Sequence, residues 1–178
     1  SGTLSSVAIA GDILLNTTSA TVLLTGTTSF TAARLTANNA SLQMAPGYTL
    51  GSLVVAEGAT AGTRVIYLAY GGAGTVTIAP TGIIRLAAGS GGGLNINNSS
   101  AATLVNNGLI TAEAAGRTLA INNSTFTNNA AISTSAGNLT ISGATFTNTA
   151  ALSQTGGTLT IDSTSWSSSV AITGTNAT

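Results

Sequence analysis

The feature that most constrains this chain is a 20-residue repeat in its last third. Residues 119–138 read LAINNSTFTNNAAISTSAGN, residues 139–158 read LTISGATFTNTAALSQTGGT, and residues 159–178 read LTIDSTSWSSSVAITGTNAT. A looser copy begins at Leu94. A fixed short period is typical of proteins that stack one small structural unit on the next.

Aligning the blocks produces columns of like residues. Two columns are aliphatic, one is aromatic, one mixes Ile with Leu, and one is polar. In the looser copy, Leu104 takes the aromatic position, Asn106 the polar one and Ile110 the Ile/Leu one. The predicted structural stacks are Leu119, Leu139 and Leu159; Ile121, Ile141 and Ile161; Phe126, Phe146 and Trp166; Ile132, Leu152 and Ile172; and Asn106, Asn128 and Asn148.

Each block divides into three short alternating segments separated by Gly and Asn. Segments such as Thr125-Phe126-Thr127 carry the β-branched and aromatic residues that strands prefer, and Gly and Asn suit the turns between them. Such a coil buries its apolar face only by stacking, at about 4.8 Å per coil. The blocks lack a 3.6-residue period, which disfavours a helical solenoid. We therefore predict an all-β parallel β-solenoid, a right-handed β-helix with coils of about 20 residues.

The rest of the chain shows the same alternation of short apolar segments and turns, but with less regular spacing. Short apolar segments are separated by turn signals such as Asn38-Asn39 and Pro46-Gly47. We predict irregular coils with longer loops over residues 1–93 and regular repeats over residues 94–178, in one continuous solenoid of about eight or nine coils. The Gly-rich segment at residues 89–93 is predicted to be a loop.

Stacking also explains the composition. Thr, Ser, Asn and Gly number 32, 20, 15 and 22 of 178 residues, whereas charged residues are only 4%, against about 25% in ordinary soluble domains. A charge repeated in a column would face its copy at about 5 Å and be repelled by roughly 1 kcal/mol in water. The most regular stretch, residues 118–161, contains no charge. The eight charges are expected at solvent-facing turns or where the regularity breaks. Disorder is disfavoured by the zero net charge and the recurring aliphatic residues.

Composition excludes several functional classes. Four scattered Arg and no Lys cannot neutralise a row of phosphates, so no nucleic-acid partner is predicted. No stretch of 18 apolar residues is present, so membrane insertion is not predicted either. Without Cys or His the chain lacks the usual metal ligands and the usual nucleophile and base. We predict no metal site, no cofactor and no catalytic residue.

The four carboxylates are candidates for a glycosidase pair, which needs two carboxyls about 5–10 Å apart. Asp12 and Glu57 are close enough in coil number to meet if they share a face, whereas Glu113 and Asp162 are expected on different corners. Solvated turn positions are the favoured interpretation for all four. Glu113 and Arg117 are expected to pair locally.

Two groups of side chains suggest surfaces. The Thr-x-Thr pairs at residues 125–127 and 145–147, continued by Ser165 and Ser167, would form a small outward hydroxyl array. Such arrays resemble ice-binding faces, but ordinary strand alternation also produces them. Separately, the three tyrosines Tyr48, Tyr67 and Tyr70 could form a carbohydrate-stacking patch, although the apolar strand around Tyr67 favours a core or rim position.

The repeat also resembles a known group of proteins. The unit L-T-I-x-x-x-T-F-T-N-x-x-x-[IL]-x-x-x-G-G-T is similar to repeats of filamentous-haemagglutinin-type exoproteins and autotransporter passenger domains of bacteria. Phe126-Thr127-Asn128, Ile132 and Leu139-Thr140-Ile141 carry this likeness. It covers residues 94–178 well and residues 1–93 only in style. The NPNL-type signature of the secretion domain is absent. The resemblance implies an extracellular, Cys-poor β-helix that acts as a stalk, adhesin shaft or filament.

The sequence thus predicts a structural protein, extracellular or at the cell surface, with no catalytic chemistry. Its start at Ser1 without a signal peptide suggests a processed chain or a fragment, and its last block suggests an open end. Continuation of the same fibre or self-association is therefore the expected partnership. The alternative is a glycan- or host-surface-binding module on residues 1–93. A carbohydrate-active enzyme and an ice-binding protein are the less favoured alternatives.

Overall fold

The computed structural model describes residues 1–98 and 101–175, so the end of the third repeat block lies outside the described residues. Those ranges form β-strands joined by turns, and no helix in them is long and apolar enough to cross a membrane. The strands are β1 (Gly2–Ser5), β2 (Ile13–Leu15), β3 (Thr21–Thr25), β4 (Ala32–Leu35), β5 (Ser41–Met44), β6 (Thr49–Leu50), β7 (Leu53–Ala56), β8 (Gly62–Leu68), β9 (Gly74–Ile78), β10 (Ile83–Leu86), β11 (Gly92–Asn98), β12 (Ala102–Asn106), β13 (Leu109–Ala112), β14 (Thr118–Asn128), β15 (Ile132–Thr134), β16 (Asn138–Asn148), β17 (Leu152–Gln154), β18 (Leu159–Ser168) and β19 (Ile172–Gly174).

The strands line three faces of one solenoid. The first face holds β1, β3, β5, β8 and β11, followed by the first halves of β14, β16 and β18. The second face holds β6, β9 and β12, followed by the second halves of those three long strands. The third face holds β2, β4, β7, β10, β13, β15, β17 and β19. The pairing is parallel throughout, which confirms the predicted parallel β-solenoid, with about 8 coils of about 21 residues.

Alternation of side chains along each strand fills the interior. On the first face one inward position is aliphatic in successive coils, and most of its members are fully buried. Burying a Leu or Ile side chain contributes about 1.5–3 kcal/mol, so a column of them supplies much of the stability that a single coil lacks. The column consists of Val22, Leu42, Ile66, Ile96, Ile121, Ile141 and Ile161.

The structure places the residues of the predicted stacks in consecutive register. Leu119 pairs with Leu139 and Leu139 with Leu159, and the Ile column at positions 121, 141 and 161 runs beside them. On the third face Ile132 pairs with Leu152, which pairs with Ile172. Coils of equal length therefore bring like residues into contact.

The aromatic column differs at its last member. The rings of Phe126 and Phe146 stack with centroids 5.1 Å apart and planes 19° apart. Trp166 occupies the next position in register but is 52% exposed. It belongs to the last coil that the structure describes, where no further coil covers the column.

The polar column is a buried ladder of asparagine amides. Asn106 donates to the Oδ1 of Asn128 at 2.7 Å, and Asn128 donates to the Oδ1 of Asn148 at 2.7 Å. Asn148 donates in turn to the hydroxyl of Ser168 at 2.9 Å. All three amides are fully buried. An amide both donates and accepts, so stacked copies satisfy one another where a stacked charge would not.

The ladder makes a prediction about stability. Replacing Asn128→Ala removes one rung and leaves a buried donor on Asn106 and a buried acceptor on Asn148 without partners. We expect the free energy of unfolding, measured with urea, to fall by roughly 2–4 kcal/mol.

The neighbouring Asn129 provides the matched control, because it makes similar bonds to Asn107 and Thr149 but is exposed. Asn129→Ala should cost less than about 1 kcal/mol. Equal losses for the two variants would contradict a stabilising role for the buried ladder.

The Gly-rich segment is a strand rather than a loop over part of its length. β11 begins at Gly92, which is buried and pairs with Gly62 of the preceding coil. A Cβ on Gly92 would collide with the Gly62 carbonyl oxygen and with a guanidinium nitrogen of Arg64. The loop prediction was wrong for this residue because the glycine is required by close contact between coils.

Arg64 lies inside the solenoid, unlike the other seven charged residues. It pairs in register with Leu94 and so begins the column that continues through Leu119. Its Nη2 donates to the carbonyl oxygens of Thr36 at 2.9 Å and Glu57 at 3.1 Å. Burial lowers the pKa of Arg64, and the charge of Arg117 acts in the same direction. Arg64 thus replaces an aliphatic residue in this column and hydrogen-bonds to backbone carbonyl groups at a corner of the solenoid.

Candidate functional site

Three of the charged residues predicted at turns meet on the third face. Arg34 of the second coil donates from Nε to Asp12 at 2.5 Å and from Nη1 to Glu57 at 2.9 Å. The hydrogen bonds to Asp12 and then Glu57 raise the pKa of Arg34, so its charge persists at any ordinary pH. The two carboxylates do share a face, but both are occupied by the same guanidinium.

The other acidic residues do not join them. Arg85 binds Glu113 from the adjacent coil, with Nη2 to Oε2 at 2.6 Å and Nε to Oε2 at 3.0 Å. The expected local pair of Glu113 with Arg117 is therefore wrong, since stacking brings Arg85 closer. Asp162 lies on the first face in the last coil. Among the described residues no group of three or more acidic, His or Cys residues could hold a metal ion.

The hydroxyl array is longer than the sequence repeat indicated. On the second face its two outward columns extend backwards from the regular repeats into the irregular coils. Val105 interrupts the second column. The first column is Thr75, Thr103, Thr125, Thr145 and Ser165, and the second is Thr49, Thr77, Val105, Thr127, Thr147 and Ser167.

The three tyrosines separate into two groups. Tyr48 is only 3% exposed, and its hydroxyl donates to the carbonyl oxygen of Thr28 at 2.6 Å. Burial raises the pKa of Tyr48 to about 12. The core position excludes Tyr48 from any surface patch. Tyr67 and Tyr70 remain together outside, with ring centroids 6.1 Å apart and planes tilted by 56°.

A backbone irregularity places Tyr70 beside Tyr67. In a regular strand, residues three apart point to opposite faces, so Tyr70 would enter the core. Ala69 has a φ of 49°, in the left-handed region that L residues rarely adopt. Its side chain is fully buried, and Tyr70 turns outward to 40% exposure. The backbone amide of Tyr70 donates to the carbonyl oxygen of Met44 in the preceding coil at 2.8 Å, and this bond holds the backbone of the turn in place.

The two rings line a hollow on the first face, which we call the tyrosine groove. Its volume is about 450 Å³, and an adjoining hollow of about 580 Å³ shares Thr21, Gln43 and Tyr70 with it. Both volumes lie in the range of small-molecule sites. No charged side chain lines either hollow. The groove is lined by Thr21, Asn39, Ser41, Gln43, Val65, Tyr67 and Tyr70.

The groove combines aromatic rings with amides and hydroxyls, a mixture that is common in ligand sites. The sequence pointed to Tyr67 and Tyr70 but missed Thr21, Ser41 and Gln43. The register of β3, β5 and β8 places these three residues near the tyrosines, and the unequal coil lengths conceal that register in the sequence. Compared with family models, curated proteins and solved structures, the chain matches none.

The buried phenol predicts a pH dependence of stability. Between about pH 10 and about pH 12 the unfolded chain loses the Tyr48 proton while the folded chain retains it. The free energy of unfolding should therefore fall across this window, by at most roughly 2–3 kcal/mol.

Urea unfolding at intervals from about pH 9 to about pH 11.5 measures the effect. Tyr48→Phe has no phenol to ionise, so its stability should fall less over the same window. An equal fall in the free energy of unfolding of the two proteins over this pH range would contradict the burial of this hydroxyl.

Proposed function

We propose that the chain is a segment of a rigid extracellular rod, a stalk, fibre or adhesin shaft, without catalytic activity. The observation that carries this proposal is the unbroken parallel ladder from β1 to β18. From the coil that contains β6 onward, strands pair with neighbouring coils on three faces, so a bend on one face strains backbone pairing on another. A stiff spacer needs this property and needs no reactive group.

The chemistry of the surface supports the same role. Asp12 and Glu57, the carboxylates nearest to a glycosidase arrangement, are both bound to Arg34. Because one guanidinium hydrogen-bonds to both carboxylates, neither is free to face a glycosidic bond between them. The enzyme alternative therefore has less support than the structural one. The ice-binding alternative has the longer hydroxyl array in its favour and the interruption at Val105 against it.

The proposed location rests on the sequence. Freedom from cysteine suits a chain that is exported before it folds, and the repeat resembles those of exported bacterial proteins. Labelling of intact cells of the source with an antibody to this chain tests the location, and electron microscopy tests the shape. Extended label-decorated fibres outside the cell are expected. Compact particles confined to the cell interior would contradict the proposal.

The edge of the last described coil suggests the partner. Along β18 the apolar positions Leu159 and Ile161 are half-buried and Trp166 is 52% exposed. A parallel strand edge with an apolar interior behind it is a template for another coil. We propose that a further coil of the same kind stacks here, in the fibre or from a second copy.

This edge makes a prediction about association. We expect the chain to self-associate as its concentration rises in sedimentation velocity. Trp166→Asp should weaken the association at least about tenfold, because stacking would bury an unpaired carboxylate.

Leu109→Asp is the matched control, since Leu109 is 36% exposed on the third face and away from the edge. It should leave the association unchanged. A chain that stays monomeric at all concentrations, or two variants with equal effects, would contradict stacking of copies through this edge.

A further inference from the structure

We propose that the tyrosine groove binds an uncharged oligosaccharide that lies along the solenoid axis. This is a recognition function separate from the mechanical role of the rod. It is located in the irregular coils, where the first face carries its two tyrosines.

The first support is the conformation of Ala69. A non-glycine residue in the left-handed region is strained and persists only when its surroundings enforce it. At Ala69 this conformation turns Tyr70 out of the core position that strand alternation assigns to it. The chain therefore retains a strained backbone and an exposed ring where a regular strand would bury the ring. Exposure of Tyr70 beside Tyr67 is the consequence that a ligand would use.

The second support is the chemistry of the lining. The face of an aromatic ring carries negative potential and accepts the C–H groups of an apolar sugar face. The hydroxyls of Thr21 and Ser41 lie 3.0 Å apart, side by side on neighbouring coils. Ser41 is only 5% exposed, so the polar groups that a ligand meets are chiefly the Thr21 hydroxyl and the amides of Asn39 and Gln43, which supply donors and acceptors. Sugar hydroxyls have the same dual character.

The third support is the absence of charge from the lining side chains. Arg64 is on β8, close in sequence to Tyr67, but its side chain is buried inside the solenoid. Ser1, which carries the α-amino group of this chain, lines the adjoining hollow. The groove itself offers an anionic polysaccharide no cation to offset its desolvation. Charge complementarity therefore favours a neutral sugar over a uronate or sulfated one.

The fourth support is the length of the hollow. The groove and the adjoining hollow together are lined by residues of β1, β3, β5 and β8, which are successive strands of the first face, and of the segments that flank them. Three strand spacings of about 4.8 Å give a floor about 14 Å long. This length accommodates more than one sugar ring, with the ring of Tyr70 beside both hollows.

Calorimetric titration of the full chain tests the proposal. The neutral probes are the hexasaccharides of cellulose, mannan, xylan and chitin. The anionic probes are oligogalacturonate and a heparin oligosaccharide. The corresponding insoluble polysaccharides, used in a pull-down, distinguish a free oligosaccharide from a surface polymer. We expect at least one neutral probe to bind and neither anionic probe to do so.

Four variants locate the binding. Tyr67→Ala and Tyr70→Ala should each weaken it at least tenfold, and Gln43→Ala about threefold. Leu109→Ala, which removes an exposed apolar side chain outside the groove and away from the stacking edge, should leave it unchanged. Circular dichroism and urea unfolding confirm that each variant is folded. If no neutral probe binds, if only anionic probes bind, or if the folded tyrosine variants bind normally, the proposal is overturned.

Ala69→Gly tests the positioning of Tyr70 separately. Glycine adopts the left-handed conformation at little cost, which offsets the loss of the buried Ala69 methyl group, so the urea unfolding midpoint should change little. Glycine also allows the backbone at position 69 to adopt other conformations, so the outward orientation of Tyr70 is less fixed. Binding of the neutral probe should therefore weaken about threefold. Lower stability with unchanged binding would contradict the role assigned to Ala69. None of these outcomes bears on end-to-end stacking, which sedimentation measures independently.

Discussion

Axial register is the constraint on which the rest of this molecule depends. Each residue in a coil lies about one strand spacing, 4.8 Å, from its counterpart in the next coil. A residue type is therefore acceptable at a position only if it interacts favourably with the residue at the same position of the next coil, whether that residue is of the same type or another. Aliphatic side chains, paired phenylalanine rings and asparagine amides meet this condition, as the stacks through Ile121, Phe126 and Asn128 illustrate. Identical charges do not meet it, which explains a composition with so few of them.

The charged residues that are present show how the constraint is satisfied in other ways. On the third face, opposite charges rather than like ones occupy neighbouring coils, so Arg34 joins Asp12 to Glu57 and Arg85 joins Glu113. Such exposed pairs add little stability, but they avoid repulsion along the axis. Inside the solenoid, backbone carbonyl groups at a corner accept from the Nη2 of Arg64 and Gly92 leaves room beside its Nη1. Among the described residues, its Nε and Nη1 are buried without a hydrogen-bond partner.

The regular half was predictable because its coils have equal length. A 20-residue period reveals which residues stack, and Leu139, Ile141 and Phe146 could be placed in columns by alignment alone. The irregular half hid its register, because 20 residues separate Leu23 from Gln43 but 24 separate Gln43 from Tyr67. The meeting of Asp12 and Glu57 at Arg34 and the full lining of the tyrosine groove therefore required the structure. So did the orientation of Tyr70, which depends on the positive φ of one alanine and has no signature in a pattern of alternating residues.

Distances along the stack test the central claim most directly. The chain has no cysteine, so spin labels can be attached to introduced cysteines alone and their separation measured by double electron–electron resonance. Thr3, Gln43 and Asp162 occupy one outward column, with seven pairings between Thr3 and Asp162 and five between Gln43 and Asp162. Labels at Thr3→Cys and Asp162→Cys should lie about 34 Å apart, and labels at Gln43→Cys and Asp162→Cys about 24 Å apart. Distances that do not increase with the number of coils, or distributions too broad to assign, would contradict a solenoid with residues stacked in register.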